Sequence, residues 1–189
     1  MTGPFTFDPA AVARVRKNFR GGLRFRLILL TQLPMGFLAG LRLREIDDER
    51  CRVSVRYSWL NRNPFRSTYW AVLGMAAEMA SGALLLQFTH GQTPSVATLI
   101  TSTSAKFLKK AVGTTTFFCE SGRVSAQAVR EAAESGEARE IVSPVRGVAE
   151  DGQPVAEFVF TWSVKARRPA TEPAPVAATA GPAGAAPSA

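Results

Sequence analysis

Residues Tyr69 to Phe88 read YWAVLGMAAEMASGALLLQF, and this stretch decides the fold. Ala, Leu and Met are strong helix formers, the run is long enough for about five turns, and no polar stripe is wide enough to face water. A helix apolar on nearly every side has to be buried. Strand patterns flank it. Before it, Cys51, Val53, Val55, Tyr57 and Trp59 alternate with Arg52, Ser54, Arg56 and Ser58, the period of a half-buried strand, preceded by a weaker strand near Leu41 to Ile46. After it come Val96 to Lys106, Thr114 to Glu120, Ile141 to Glu150 and Val155 to Lys165. Asp151-Gly152 joins the last two as a hairpin. One long hydrophobic helix cannot be satisfied by a single small contact, so the sheet must curl around it. The sequence therefore predicts an α+β fold, a long central hydrophobic helix wrapped by a curved antiparallel sheet.

Outside that unit, Asp8-Pro9 is a helix start and Gly21-Gly22 stops the helix it opens. A second short helix is expected over Leu23 to Leu30, and a surface helix over Val124 to Glu137 with Arg130 and Glu134 paired at i,i+4. Pro144 inside a strand implies an edge position or a bulge. Residues 1–32 thus read as an N-terminal helical segment and 33–165 as the α+β domain. Residues 166–189, with ten Ala and five Pro, read as a tail expected to be disordered.

The chain of 189 residues carries 23 basic and 15 acidic side chains, a net charge of +8. That balance allows nucleic acid, an anionic membrane or a phosphorylated small molecule as partner. Cys51, Cys119 and a single His90 are too few soft ligands for a structural zinc site and exclude a disulfide framework. Both cysteines sit in strand patterns and read as small core residues; His90 reads as a loop or helix-end residue near the dipole. The start lacks a basic segment followed by an apolar one, so no signal peptide is expected. Leu27 to Leu41 is apolar but interrupted by Gln32, Pro34 and two Gly, and shorter than the ~20 residues a spanning helix needs. A cytoplasmic location follows by default. Peripheral membrane contact through this stretch, behind Arg14, Arg16, Lys17, Arg20, Arg24 and Arg26, stays open.

Between Ser67 and Ala105 the only formally charged side chain is Glu78, in the middle of the buried helix. An unpaired carboxylate there is costly, so it needs a cationic partner, a proton, or a cavity. Gly74 and Gly82 lie at i−4 and i+4 and Ser81 at i+3, which leaves that face bare enough for a slim ligand. One reading is a general base or nucleophile with a raised pKa; the other is a structural Glu paired with Arg52 or Arg56. At the helix start, free N–H groups of residues 67–71 and the positive dipole end point toward the Asn63 loop. Such donors can contribute roughly 3–4 kcal/mol to an oxyanion-like transition state, or the segment is an ordinary turn capped by Ser67 or Thr68. Glu78 lies nine residues beyond Tyr69, about 13 Å along the axis, too far to share one carbonyl with those donors. Catalysis by both groups therefore predicts a two-fold homodimer, with Glu78 of one chain facing the helix start of the other.

The block Asn63-Pro-Phe-Arg-Ser-Thr-Tyr69-Trp-Ala-Val-Leu-Gly-Met-Ala-Ala-Glu78-Met-Ala-Ser-Gly82, followed by Ser104 to Ala111, resembles the hotdog-fold acyl-CoA thioesterases of the phenylacetate-pathway type. It resembles more closely the uncharacterised DUF4442 branch of that superfamily. The similarity spans about Leu33 to Lys165, and the surface helix also suits that branch. In those thioesterases an Asn is followed six residues later by His-Gly-Gly, and nine after the His by a catalytic acid. Asn63, Tyr69 and Glu78 fall at those spacings, with Tyr69 in place of the His and Trp70-Ala71 in place of the glycines. The resemblance implies a hotdog fold and hydrolysis of an acyl thioester at a homodimer interface, with a tetramer left open. It implies Glu78 as base or nucleophile, Asn63 orienting the water or the loop, and the Trp70 and Ala71 N–H groups as oxyanion donors supported by Tyr69.

On the same reading Lys106, Lys109 and Lys110, with Arg123, form a basic cluster for coenzyme A phosphates, while Gly74 and Gly82 make room for substrate. Partners are then an acyl-CoA or acyl-carrier thioester and a second copy of the chain. No cofactor is expected, coenzyme A being part of the substrate. The alternative is a non-catalytic hotdog module that binds a fatty acyl or acyl-CoA ligand, which the missing His-Gly-Gly favours. A nucleic-acid binder lacks both a recognised motif and an aromatic-plus-basic strand ladder. Trp59, Trp70 and Trp162 are candidates to line an acyl tunnel, with core packing the better reading for Trp59 and Trp162.

Overall fold

The computed structural model describes residues 4–20 and 22–167. Helix α1 (Pro9–Arg20) begins where Asp8 Oδ1 accepts the Ala10 N–H at 2.8 Å, an N-terminal cap. Helix α2 spans Gly22–Gln32. A third helix, α3 (Pro34–Ala39), was not expected from the change of period after Pro34. Pro34 stands at its first turn and Gly40, at φ 80°, closes it in the left-handed region with its N–H turned back on Gly36 and Phe37 carbonyls, so the local cap chemistry is complete.

Strands β1 (Arg42–Ile46) and β2 (Cys51–Arg56) follow. The alternation that runs on to Trp59 is cut short at Arg56. The Ser58 N–H donates to Asn61 Oδ1, and Asn61 Nδ2 donates to the Ala39 and Arg56 carbonyls, pinning a 3-10 turn over Trp59–Asn61. Trp59 consequently stands 73% exposed, contrary to the core position its strand pattern suggested. Helix α4 (Trp70–Thr89) is the central helix. It is long and apolar enough to cross a membrane by length and composition, but most of it is buried inside the fold. The remaining elements are β3 (Val96–Phe107), β4 (Thr114–Cys119), α5 (Gly122–Ser135), β5 (Arg139–Ala149) and β6 (Pro154–Ala166).

The six strands form one antiparallel sheet in the order β1-β2-β4-β5-β6-β3. It curves around α4, which packs on β2 and β4 and is backed by α1 and α5. Ala156, Phe158, Phe160, Trp162 and Val164 of β6 all point into the core, as their alternation predicts. Buried Gln87 near the end of α4 takes the Arg16 Nε–H at 2.7 Å and gives its own N–H to the Asp47 carbonyl at 2.9 Å, which latches α1 to the helix with every polar group partnered.

Two local expectations fare differently, the proline one being met by a local edge and the helix pair not being formed. Pro144 lies on interior strand β5, but β4 ends at Cys119 opposite Val145, so at Pro144 the strand is bordered by β6 alone and no ladder is broken. Arg130 and Glu134 do not pair. The Arg130 guanidinium lies 5.5 Å from the Phe7 ring centroid and Glu134 Oε1 accepts the Phe5 N–H, so both hold the N-terminal segment. The tail boundary at residue 166 moves outward: Ala166 closes β6 and the Arg167 N–H donates to the Ser95 carbonyl, and the rest of the expected tail, residues 168–189, lies outside the described residues.

Cys51 and Cys119 are cross-strand partners, both fully buried and both free. Burial pushes both thiols up from their ordinary pKa, which suppresses the reactive thiolate. Ellman's reagent is expected to titrate neither thiol in the native protein and two after denaturation; rapid native reaction would contradict the packing of β2 against β4.

Candidate functional site

Glu78 projects from the middle of α4 with no ion pair and no hydrogen bond to its carboxylate among the described residues. The structural alternative of a strand arginine is not what the fold provides: Arg52 Nε lies 2.9 Å from Glu45 Oε2 and stacks on Phe118, and Arg56 points to the outer face of the sheet beside Thr114. Burial therefore raises the Glu78 pKa above the ordinary carboxylate range. The carboxylate opens on a cavity of about 370 Å³, walled by Gly82, Met79, Trp162 and Thr98 on one side and by Phe25, Leu29 and Leu33 of the N-terminal helices on the other. Trp162 Nε1 donates to Ser81 Oγ at 3.2 Å, which holds the indole as one wall.

The two glycines behave differently. At Gly82 an added Cβ would come within 2.8 Å of Glu78 Oε1, so the missing side chain is the space the carboxylate occupies. Gly74 instead lies under the Phe158 ring at ordinary contact distance and lines no part of that cavity.

The helix start forms a second groove of about 340 Å³, lined by Asn63, Ser67, Thr68, Trp70, Leu73 and residues 107–111. Tyr69 is the N-cap residue and offers no side-chain cap; its N–H goes to the Asn61 carbonyl at 2.8 Å. Ser67 and Thr68 do not cap α4. The Thr68 hydroxyl and N–H both turn to the Ala111 carbonyl. The Trp70 and Ala71 N–H groups, first in the helix, are left without an intrahelical acceptor. Asn63 spends its amide on its own loop: Oδ1 accepts the Phe65 and Ser67 N–H groups and Nδ2 donates to Ser67 Oγ. That clamp carries Arg66 into the left-handed region at φ 58°.

Of the basic cluster, Lys109 and Lys110 line this groove, and Lys109 Nζ pairs with Asp151 at 2.9 Å, holding that carboxyl below its usual range. Lys106 sits on exposed β3 opposite Glu157. Arg123 is paired with Glu49 at 2.7 Å and lines neither cavity. His90 closes α4 as its C-cap residue. The fold thus brings Asn63, Trp70, Lys109 and Lys110 together at one place and Glu78 with Gly82 at another, eight residues or about 12 Å along one helix. Sequence reasoning missed the cavity wall from α2. Its only signal was the uninterrupted apolar character of residues 27–30 next to Phe25.

A long buried helix wrapped by a curved six-stranded antiparallel sheet is the hotdog fold. Residues 21–164 match the family described as a domain of unknown function, DUF4442, and the chain belongs to that family. Solved structures agree on the fold. A Pseudomonas aeruginosa protein of unknown function, described as a probable thioesterase, superposes with TM-score 0.66 at 21% identity over 75% of this chain and 93% of its own. A thioesterase from Haemophilus influenzae gives 0.56 at 15% over 74% and 88%. The E. coli PaaI protein from the phenylacetic acid degradation operon gives 0.54 at 13% over 72% and 87%. No curated protein matches the chain.

Proposed function

We propose that this protein hydrolyses an acyl thioester, with Glu78 as the base, in a site completed by a second copy of the chain. The observation that carries the reading is a desolvated carboxylate with no cation on it among the described residues, facing a cavity. A carboxylate kept from water and from counter-charges is a stronger base than an exposed one. In the proposed reaction Glu78 takes a proton from water as the oxygen attacks the thioester carbonyl. The new C–O bond forms, the oxyanion rests on the Trp70 and Ala71 N–H groups of the partner chain, and collapse breaks the C–S bond. The proton on Glu78 then passes to the leaving thiolate. Asn63 shapes the donor loop, and Lys109 and Lys110 offer charge for the phosphates of an acyl-CoA.

Strand β3 supports the dimer. It is a twelve-residue sheet edge, exposed from Thr101 through Phe107, β-branched, free of proline and carrying one charge. Soluble proteins rarely leave such an edge unpaired. Thr98 of this strand also lines the Glu78 cavity, so pairing along β3 would bring a second chain to the acid. The double substitution Thr101→Lys, Thr103→Lys is expected to convert a dimer to a monomer in sedimentation equilibrium and to remove activity with it. An active monomer would refute the shared site.

Gly82→Ala tests the position of the acid. The new methyl displaces the flexible end of Glu78 rather than backbone, so Tm should move little while kcat falls about tenfold to a hundredfold; an unchanged kcat would remove Glu78 from the chemistry. The second reading, a non-catalytic acyl or acyl-CoA binder, is favoured by the bulky, half-exposed Trp70 at the helix start. A panel of acyl-CoA chain lengths separates the two, since that reading predicts binding without turnover on every member.

A further inference from the structure

Helix α2 is apolar on two opposite faces, and the fold buries only one. Phe25 and Leu29 turn inward against the cavity wall. Leu23, Leu27 and Leu30, spaced i, i+4, i+7, form a stripe on the other side and stand 77%, 54% and 50% exposed. At 3.6 residues per turn Arg24 and Arg26 fall on either flank of that stripe, and both are exposed. Helix α3, packed against α2, adds exposed Met35 and Leu38. The 3-10 turn tied to the end of α3 by Asn61 adds exposed Trp59 and Leu60, with the Arg62 guanidinium 6.0 Å from the Trp59 ring centroid. Exposed apolar side chains gathered on adjoining elements mark an interaction site.

The charge selects the partner. From Pro9 to Arg44 the chain holds eight Arg or Lys and no Asp or Glu, so the whole net charge of +8 resides in this segment and the other 15 basic and 15 acidic side chains cancel. Arg16 is spent on Asp48 and Arg20 on the Ile46 carbonyl, but Arg24 and Arg26 stay exposed beside the leucines. A second copy meeting this face across a two-fold axis would set those like charges against each other. An anionic bilayer meets both requirements: its acyl boundary takes the leucines and its phosphates take the flanking guanidinium groups. We infer that the outer face of α2 and α3 is a docking surface for an anionic lipid membrane. Tryptophan at the rim suits the headgroup level of such a contact. This docking does not depend on the chemistry proposed for Glu78.

Cosedimentation of the full chain with phosphatidylcholine vesicles, with and without phosphatidylglycerol, tests it. The wild type should pellet with the phosphatidylglycerol vesicles, and less so as salt is raised. Leu23→Gln, Leu27→Gln and Leu30→Gln together should weaken binding at least about tenfold with Tm and turnover of soluble acyl-CoA unchanged. Arg24→Gln with Arg26→Gln should weaken it and flatten the salt dependence, whereas Glu78→Gln should bind as the wild type does. A wild type that stays in the supernatant, or a triple-leucine variant that binds undiminished, would overturn the inference. A triple-leucine variant that lowers the oligomeric state of a protein with no vesicle affinity would overturn it too, and would assign the face to self-association.

Discussion

Glu78→Gln is expected to lower kcat/KM for an acyl thioester by about 10²–10⁴-fold, the range for loss of a positioned general base, and at the same time to raise thermal stability at neutral pH. The two effects share one cause. Burial without a counter-charge disfavours the ionised acid in the folded chain, so the folded pKa lies above the unfolded one. At a pH below the ordinary carboxylate value both states hold a neutral Glu78 and the residue costs nothing. As pH rises the unfolded chain ionises first, and stability is lost progressively until pH passes the raised folded value. The Tm advantage of Glu78→Gln over wild type should therefore grow from acid to neutral pH, and wild-type kcat/KM should rise with pH through an acid limb above the ordinary carboxylate range. A variant that loses activity and also loses stability at neutral pH would mean that Glu78 has a partner that stabilises its charge, and the base role would fall with that result.

The second large effect lies in the core. Phe117 of β4 is fully buried, edge-on to Phe158 at 5.9 Å between centroids, and its ring fills the space a side chain at Gly147 would need, an added Cβ there coming within 2.5 Å of it. Phe117→Ala should cost about 3–5 kcal/mol, which for a chain of this size lowers Tm by roughly 6–20 °C. The pair is coupled, so Gly147→Ala should destabilise the wild type by about 1–3 kcal/mol and be much better tolerated in the Phe117→Ala background. Additive effects in the double variant would show that ring and glycine do not share one volume.

How far the sequence carries depends on whether a feature is local. The central helix, six strands, the Asp151-Gly152 hairpin and the surface helix were legible because each follows from a run of residues with one periodicity. The short helix α3 was not, since Pro34 and Gly36 look like breakers until Gly40 is seen to close a single turn and a half. The β2 alternation overran to Trp59 because nothing local reveals that Asn61 will reach back to the Ala39 carbonyl, 22 residues away.

By itself, the sequence determined that an acid sits alone in an apolar helix and that amides at that helix start lie beyond its reach, because charge isolation and rise per residue are properties of the chain. Only the tertiary structure decided that none of the described arginines comes to Glu78, that α2 walls its cavity, and that the leucines of α2 face outward. Which side chains meet across an interface depends on register and packing between distant segments, and no periodicity along one segment encodes its neighbour.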